Sequence, residues 1–247
     1  MFMSSAIRAL PLAVAFAAVA AVASAQDSTA HDTSSPAASA LARRSAASVS
    51  FIQSRPQGAF GQNVGIGYGV NGAYLFRLDD AGIWSIRADA GVVTYGNESR
   101  RTALSESVGG RVQVDVKTSN YIVPLTLGPQ LTWPSGPVRP YVNAGVGGQA
   151  FFTESHVEGA DGGSDFGSTT NHSAWAAAWA AGGGIYMPVY AGKRKVQLDL
   201  GMQYVSGRRA RYLARGSIVD LPGAQISVTP LESTTHLLVV RLGGTIQ

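Results

Sequence analysis

The chain has no cysteine. That removes disulfides, thiol nucleophiles and thiolate metal sites together, so an exported chain of this kind holds its fold by packing and hydrogen bonds alone. Charge is scarce as well, at 14% of residues, and the net formal charge is only +4. Such a weak bias excludes a nucleic-acid footprint. Imidazole is limited to His31, His156, His172 and His236. No stretch beyond the N-terminus has the periodicity of an amphipathic helix. What the chain has instead is 30 glycines and long runs of strict alternation.

The N-terminus is a separate matter. One charge, Arg8, precedes the apolar run LPLAVAFAAVAAV, and Ala23-Ser24-Ala25 then places small residues where a signal peptidase reads. Residues 1–25 are read as a cleaved signal peptide, leaving 222 residues of the 247 and a mature net charge of +3 once Arg8 is gone. The following stretch is small, polar and without apolar period. Residues 26–46 are therefore expected to be a disordered lead-in, and residues 47–247 one all-β domain.

Within 47–247 the clearest strand is VQLDLGMQYVSG, with Val196, Leu198, Leu200, Met202 and Tyr204 on one side and Gln197, Asp199, Gly201 and Gln203 on the other. IWSIRADAGVVTY, NVGIGYGVNGAYLFR, PYVNAGVGGQAFF and HLLVVRLGGTI alternate in the same way. SVSFIQSR is short and irregular. SAWAAAWAAGGGIYMPVY reads as a strand that faces Trp175, Trp179, Ile185, Met187 and Val189 one way and Ala, Gly, Pro, Tyr186 and Tyr190 the other. In RVQVDVKTSNYIVPLTLGPQLTW the apolar parity changes, which calls for a bulge between Val116 and Tyr121. The total is eight candidate strands, and short connections (LDDAG, WPSGPVR, AGKRK) alternate with long ones. Short turns at one end and long loops at the other are the pattern of an up-and-down barrel in an outer membrane.

Alternation alone does not say which side meets water. Bulky and aromatic residues (Trp84, Trp133, Phe152, Trp175, Tyr204) crowd the apolar side near segment ends, as interfacial girdles do, while the other side is small or polar. Arg87, Asp89, Asp115, Lys117, Asp199 and Arg241 all fall on the polar side. An Arg or Lys facing lipid at mid-depth costs about 2–4 kcal/mol, so a membrane barrel has to turn these inward. Arg241 is expected to pair with Asp199 there, joined by Arg87 and Asp89.

GYG at Gly67–Gly69, RPYVNAGVG from Arg139 to Gly147, and QLDLGMQY resemble the outer-membrane β-barrel domain family, relatives of the OmpA transmembrane domain. The resemblance spans about residues 47–247 and implies an eight-stranded antiparallel transmembrane barrel with its interior filled by side chains. Two departures stand out. No peptidoglycan-binding domain follows, and the last residue is Gln247 rather than an aromatic.

Chemistry is thinly represented. His172-Ser173 offers a base beside a nucleophile, but neighbours on a strand point to opposite sides. Glu158, Asp161 and Asp165 lack the ordered spacing of a calcium loop. No catalytic residue, cofactor or metal ligand is expected. Arg208, Arg209, Arg211 and Arg215 open the longest loop, where they meet the phosphates of outer-leaflet lipopolysaccharide or simply keep the loop solvated. The reading is a monomeric outer-membrane barrel with a structural or surface-interaction role, whose partners are outer-membrane lipids and the assembly machinery and not nucleic acid. The alternatives are a lipid-modifying outer-membrane enzyme, a small pore and a soluble lipocalin-like carrier.

Overall fold

The computed structural model describes residues 44–103, 113–159, 165–191, 195–214, 217–221 and 225–247. Strands β1 (Ser45–Gln57), β2 (Gly67–Arg77), β3 (Trp84–Ala103), β4 (Gln113–Thr132), β5 (Arg139–Gly159), β6 (Asp165–Ala191), β7 (Lys195–Tyr212) and β10 (Leu231–Ile246) form the wall. They close in the order β1-β10-β7-β6-β5-β4-β3-β2. A two-stranded hairpin, β8 (Ile218–Leu221) and β9 (Gln225–Val228), and a one-and-a-half-turn helix, α1 (Gly58–Asn63), are the remaining elements among the described residues. The signal peptide, most of the lead-in and Arg215 lie outside the described residues.

The register fixes the geometry of the wall. A transverse row that starts at Ala47 passes through Tyr74, Ala88, Leu127, Val146, Trp179, Ser206 and His236 and meets β1 again at Gln57, ten residues from its start. In an eight-stranded barrel that stagger requires strands tilted by about 40–45°. Ten residues rising about 3.3 Å each along such a strand climb about 24 Å along the barrel axis. That matches the height of the apolar band of an outer-membrane barrel, about 25 Å. The row therefore climbs by about the height of one apolar band between Ala47 and Gln57.

Side chains obey the phase read from the sequence across the spanning part. In β10, Arg241 is 2% exposed while Leu242 beside it is 51% exposed. Trp84, Trp133, Trp175, Trp179 and Tyr204 all face outward. Inside, Arg87, Asp89, Asp199 and Arg241 are buried.

Several expectations need correction. β4 pairs with β5 in one unbroken register from Val114 to Leu127, so no bulge separates Val116 from Tyr121. The irregularity is in β3 instead, where the register slips between Thr94 and Gly96 at Tyr95. With β4 continuous, Lys117 falls on the outward side and is exposed, not inside. Lys117 is ten residues up β4 from Leu127, so it stands about 24 Å above that residue and clear of hydrocarbon, where the penalty on outward charge lapses. The side chain of Asp115 lies outside the described residues.

The long connections are mostly not loops. β3 to β6 run on well beyond the aromatic belt as paired strands, and β8-β9 occupies part of the longest connection. β1 is regular, not irregular, and begins at Ser45, two residues before the expected boundary. The segment GAFGQN after β1 is helical, and Val64, which falls on the apolar side of NVGIGYGVNGAYLFR with Ile66 and Tyr68 by alternation, is buried inside while those two are exposed. Gly58, at a φ of +61°, makes the reversal that takes the chain from β1 into α1. Tyr190 faces out because the register slips between Pro188 and Tyr190.

Candidate functional site

The lumen has two zones. Toward the short-turn end it is a polar network centred on Arg87. Its Nε donates to both Asp89 carboxylate oxygens at 3.0 and 2.8 Å, and its Nη2 donates to Asp89 at 2.9 Å. Nη1 donates to Gln130 at 3.0 Å and to the Tyr186 hydroxyl at 3.2 Å. Asn71 adds a donor to Asp89 at 3.1 Å, and Arg241 Nη1 lies 3.6 Å from the same carboxylate. Arg241 and Asp199 do not pair directly as expected. The Tyr141 hydroxyl stands between them, accepting from Arg241 at 3.2 Å and donating to Asp199 at 2.7 Å. The register explains it, because Arg241 lies opposite Gly201 and Asp199 opposite Gly243, two residues apart along β7. Tyr141 in turn stacks on Tyr186, with ring centroids 4.5 Å apart. Within the network two guanidinium groups face two carboxylates, and Arg77 and Arg139 line its short-turn end beside Gln130 and Tyr186.

The other zone, toward the strand extensions, is apolar. Phe60 of α1 sits edge-on to Tyr212 at 4.7 Å and to Phe151 at 6.0 Å, with Ile52, Val93, Ile122 and Leu237 completing the cluster. Tyr95, turned inward at the β3 bulge, donates to the Leu213 carbonyl at 3.1 Å. An inward aromatic helix over a polar floor narrows the mouth among the described residues, where a cavity of about 300 Å³ remains between Asn63, Val64, Tyr95, Asn120 and Ala214.

The outer wall at the mouth is where function-bearing groups remain accessible. Between β7 and β10 the register slips so that Thr235 faces Gly207 while Thr234 faces Arg209, leaving Arg208 as the extra residue. A bulge of this kind puts two consecutive side chains on one face. Arg208 and Arg209 are both exposed, Ala210 is buried, and Arg211 is exposed again. Arg211 pairs with Glu232 at 3.3 Å. These three arginines thus stand on the outside of a strand, not in a loop as expected. Arg55 of β1 is exposed on the same outward face, in a transverse row with Leu238 and Tyr204. His172 and Ser173 point apart as expected, and the His172 ring meets the Arg211 carbonyl at 2.9 Å. The side chains of Glu158, Asp161 and Asp165 lie outside the described residues.

Compared with known families, residues 12–226 match the model of the outer membrane protein beta-barrel domain. The chain belongs to this family. Among solved structures it is similar to Ail, the attachment invasion locus protein of Yersinia pestis, at 16% identity over 82% of this chain and 96% of that one, with a TM-score of 0.39. It is also similar to the outer membrane protein OprG from Pseudomonas aeruginosa, at 11% identity over 82% of this chain and 94% of that one, with a TM-score of 0.40. No curated protein matches.

In this outer-membrane β-barrel domain, backbone and lumen side chains approach closely at Gly201 and Gly184. A Cβ on Gly201 would lie 2.5 Å from the Tyr141 hydroxyl and 3.1 and 3.2 Å from Arg241, and one on Gly184 would lie 2.6 Å from the same hydroxyl. Gly201→Ala is expected to cost about 1–3 kcal/mol of unfolding free energy through overpacking. The check is a double-mutant cycle with Tyr141→Phe in chemical denaturation. Loss of the hydroxyl relieves the clash, so the two substitutions together should cost less than their sum.

Sequence reasoning missed Arg55, the bulge at Arg208, and the proximity of Ser206 to His236. The first was legible, since Arg55 closes the strand SVSFIQSR with outward parity. The bulge carries no compositional mark, and the other proximity joins residues that only the strand register brings together.

Proposed function

We propose that this outer-membrane barrel has a structural and surface-interaction role in which the outer wall, not the lumen, engages its partner. The partner is the phosphate-bearing headgroup layer of outer-leaflet lipopolysaccharide. One observation carries the reading: the bulge at Arg208 sets Arg208 and Arg209 side by side on the outward face, with Arg211 exposed beyond them. By the stagger of the wall these groups stand just above the upper end of the apolar band. A planar guanidinium fork suits a phosphate held at that height, and charge-assisted hydrogen bonds there are stronger than neutral ones. Arg55 extends the basic belt toward β1.

The same reading has the chain exported by the cleaved segment 1–25, inserted by the outer-membrane assembly machinery, and present as a monomer. Closure of the wall supports the last point, because a closed barrel leaves no unpaired strand edge to recruit a second copy.

Replacing Arg208, Arg209 and Arg211 together by glutamine tests the partner. Folded protein should lose at least about tenfold in affinity for lipopolysaccharide-containing vesicles, as three charge-assisted contacts are removed. Binding by the native chain should also weaken as salt is raised. Unchanged binding in the triple variant would refute the assignment.

A further inference from the structure

We propose that Ser206 and His236 form a nucleophile and base pair on the outer wall that cleaves the acyl ester of a phosphorylated membrane lipid. The inference rests on the arginine belt as the holder of that lipid's phosphate. Ser206 Oγ and His236 Nδ1 are 3.1 Å apart, on facing positions of β7 and β10. Both are half-buried and lie on the outward face. The imidazole is held by stacking on Tyr204, with centroids 6.0 Å apart and ring planes 18° from parallel. Trp179 faces Ser206 from β6 and Gln57 faces His236 from β1, so the pair is the centre of the last four positions of the climbing row.

That position decides the chemistry. Set with Ala47 at one interface, the row ends about 24 Å higher and reaches the opposite interface at its final members. Ester linkages of membrane lipids lie there, between hydrocarbon and headgroup. The lipid's acyl chain runs down the apolar wall past Tyr204 and Leu238, and its phosphate meets Arg208 and Arg209, one step beyond Ser206 on the same strand. A hydroxyl hydrogen-bonded to an imidazole is an activated nucleophile when a reacting carbonyl is brought to it.

The steps balance with water as the second reactant. Ser206 Oγ bonds to the ester carbonyl carbon while its proton passes to His236 Nδ1. The tetrahedral intermediate then collapses, the carbon–alkoxide bond breaks, and His236 returns the proton to the departing alcohol. Water adds to the acyl-serine with its proton taken by His236, and the fatty acid leaves as Ser206 regains its hydrogen.

The test uses the full, folded chain in vesicles of two compositions, one with lipid A and one with phosphatidylglycerol, and reads fatty acid release by mass spectrometry. The native chain should release fatty acid from at least one, and the two arms identify the source of the ester. Ser206→Ala and His236→Gln should each lower release by about 100-fold or more with the barrel still heat-modifiable on gels, the scale of losing a general base. A serine-directed fluorophosphonate should label Ser206 in the native chain and not in the His236 variant. No release and no labelling by the native chain, or full release by Ser206→Ala, would overturn the pair. Release that survives the triple arginine substitution would keep the pair and refute the belt; vesicle binding without release would do the reverse.

Discussion

Asp89→Ala is expected to lower the unfolding free energy of the barrel by about 3–5 kcal/mol, because it leaves an uncompensated charge in a buried network. Asp89 takes three donated hydrogen bonds from Arg87 and one from Asn71, and it is the acid nearest Arg241. With it gone, two guanidinium groups face Asp199 alone, and Asp199 already accepts from Tyr141. The large effect belongs to the broken pair and not to the pair's own worth. Replacing both partners, Arg87→Met with Asp89→Leu, removes one charge of each sign and leaves Arg241 balanced by Asp199. That double variant should therefore lose less than Asp89→Ala by itself. Urea titration of the folded protein in detergent, with the gel shift on heating as a second readout, measures both. A single variant costing under about 1 kcal/mol would mean that the network is open to water.

How far the sequence reached follows from where lipid constrains it. Across the spanning part, hydrocarbon outside and crowding inside select opposite residue types, so the phase of Arg87, Asp199 and Arg241 was readable from alternation together with the aromatic and small-residue bias of the two sides. Above the band both faces of the wall meet water, and parity stops carrying orientation. That is why the apolar run Val112, Val114, Val116 suggested a bulge that β4 lacks, and why Lys117 was turned the wrong way. α1 is too short for a helical period, and Phe60 is buried by Phe151 and Tyr212, which are distant along the chain.

The candidate site was less legible than the fold for a related reason. Arginines could be counted, but whether they share a face depends on one extra residue in β7 that nothing in the composition announces. Ser206 and His236 are thirty residues apart and meet only because β7 and β10 are neighbours in a particular register. A sequence scan pairs histidine with the serine beside it, as at His172-Ser173, where alternation holds the two side chains apart. Strand pairing does the opposite, since it brings facing residues of one outward surface to within about 5 Å at Cβ.

Leu242→Arg separates a membrane barrel from a soluble one more sharply than any substitution in the lumen. Leu242 is exposed on the outward face between Phe51 of β1 and Leu200 of β7, inside the apolar band. In lipid, an arginine there is expected to cost about 2–4 kcal/mol, read as a fall in folded fraction during refolding into bilayers from urea. Ser173→Arg is the control, because Ser173 is equally outward but two residues beyond Trp175 of the aromatic belt, where the penalty falls to about 0–1 kcal/mol. In water, both positions are ordinary exposed sites and each substitution would stay within about 0.5 kcal/mol. The depth dependence is therefore the signature. Equal small effects at the two positions would place water, not hydrocarbon, against the wall, and neither the belt of Arg55, Arg208 and Arg209 nor the Ser206–His236 pair would then stand at a membrane interface.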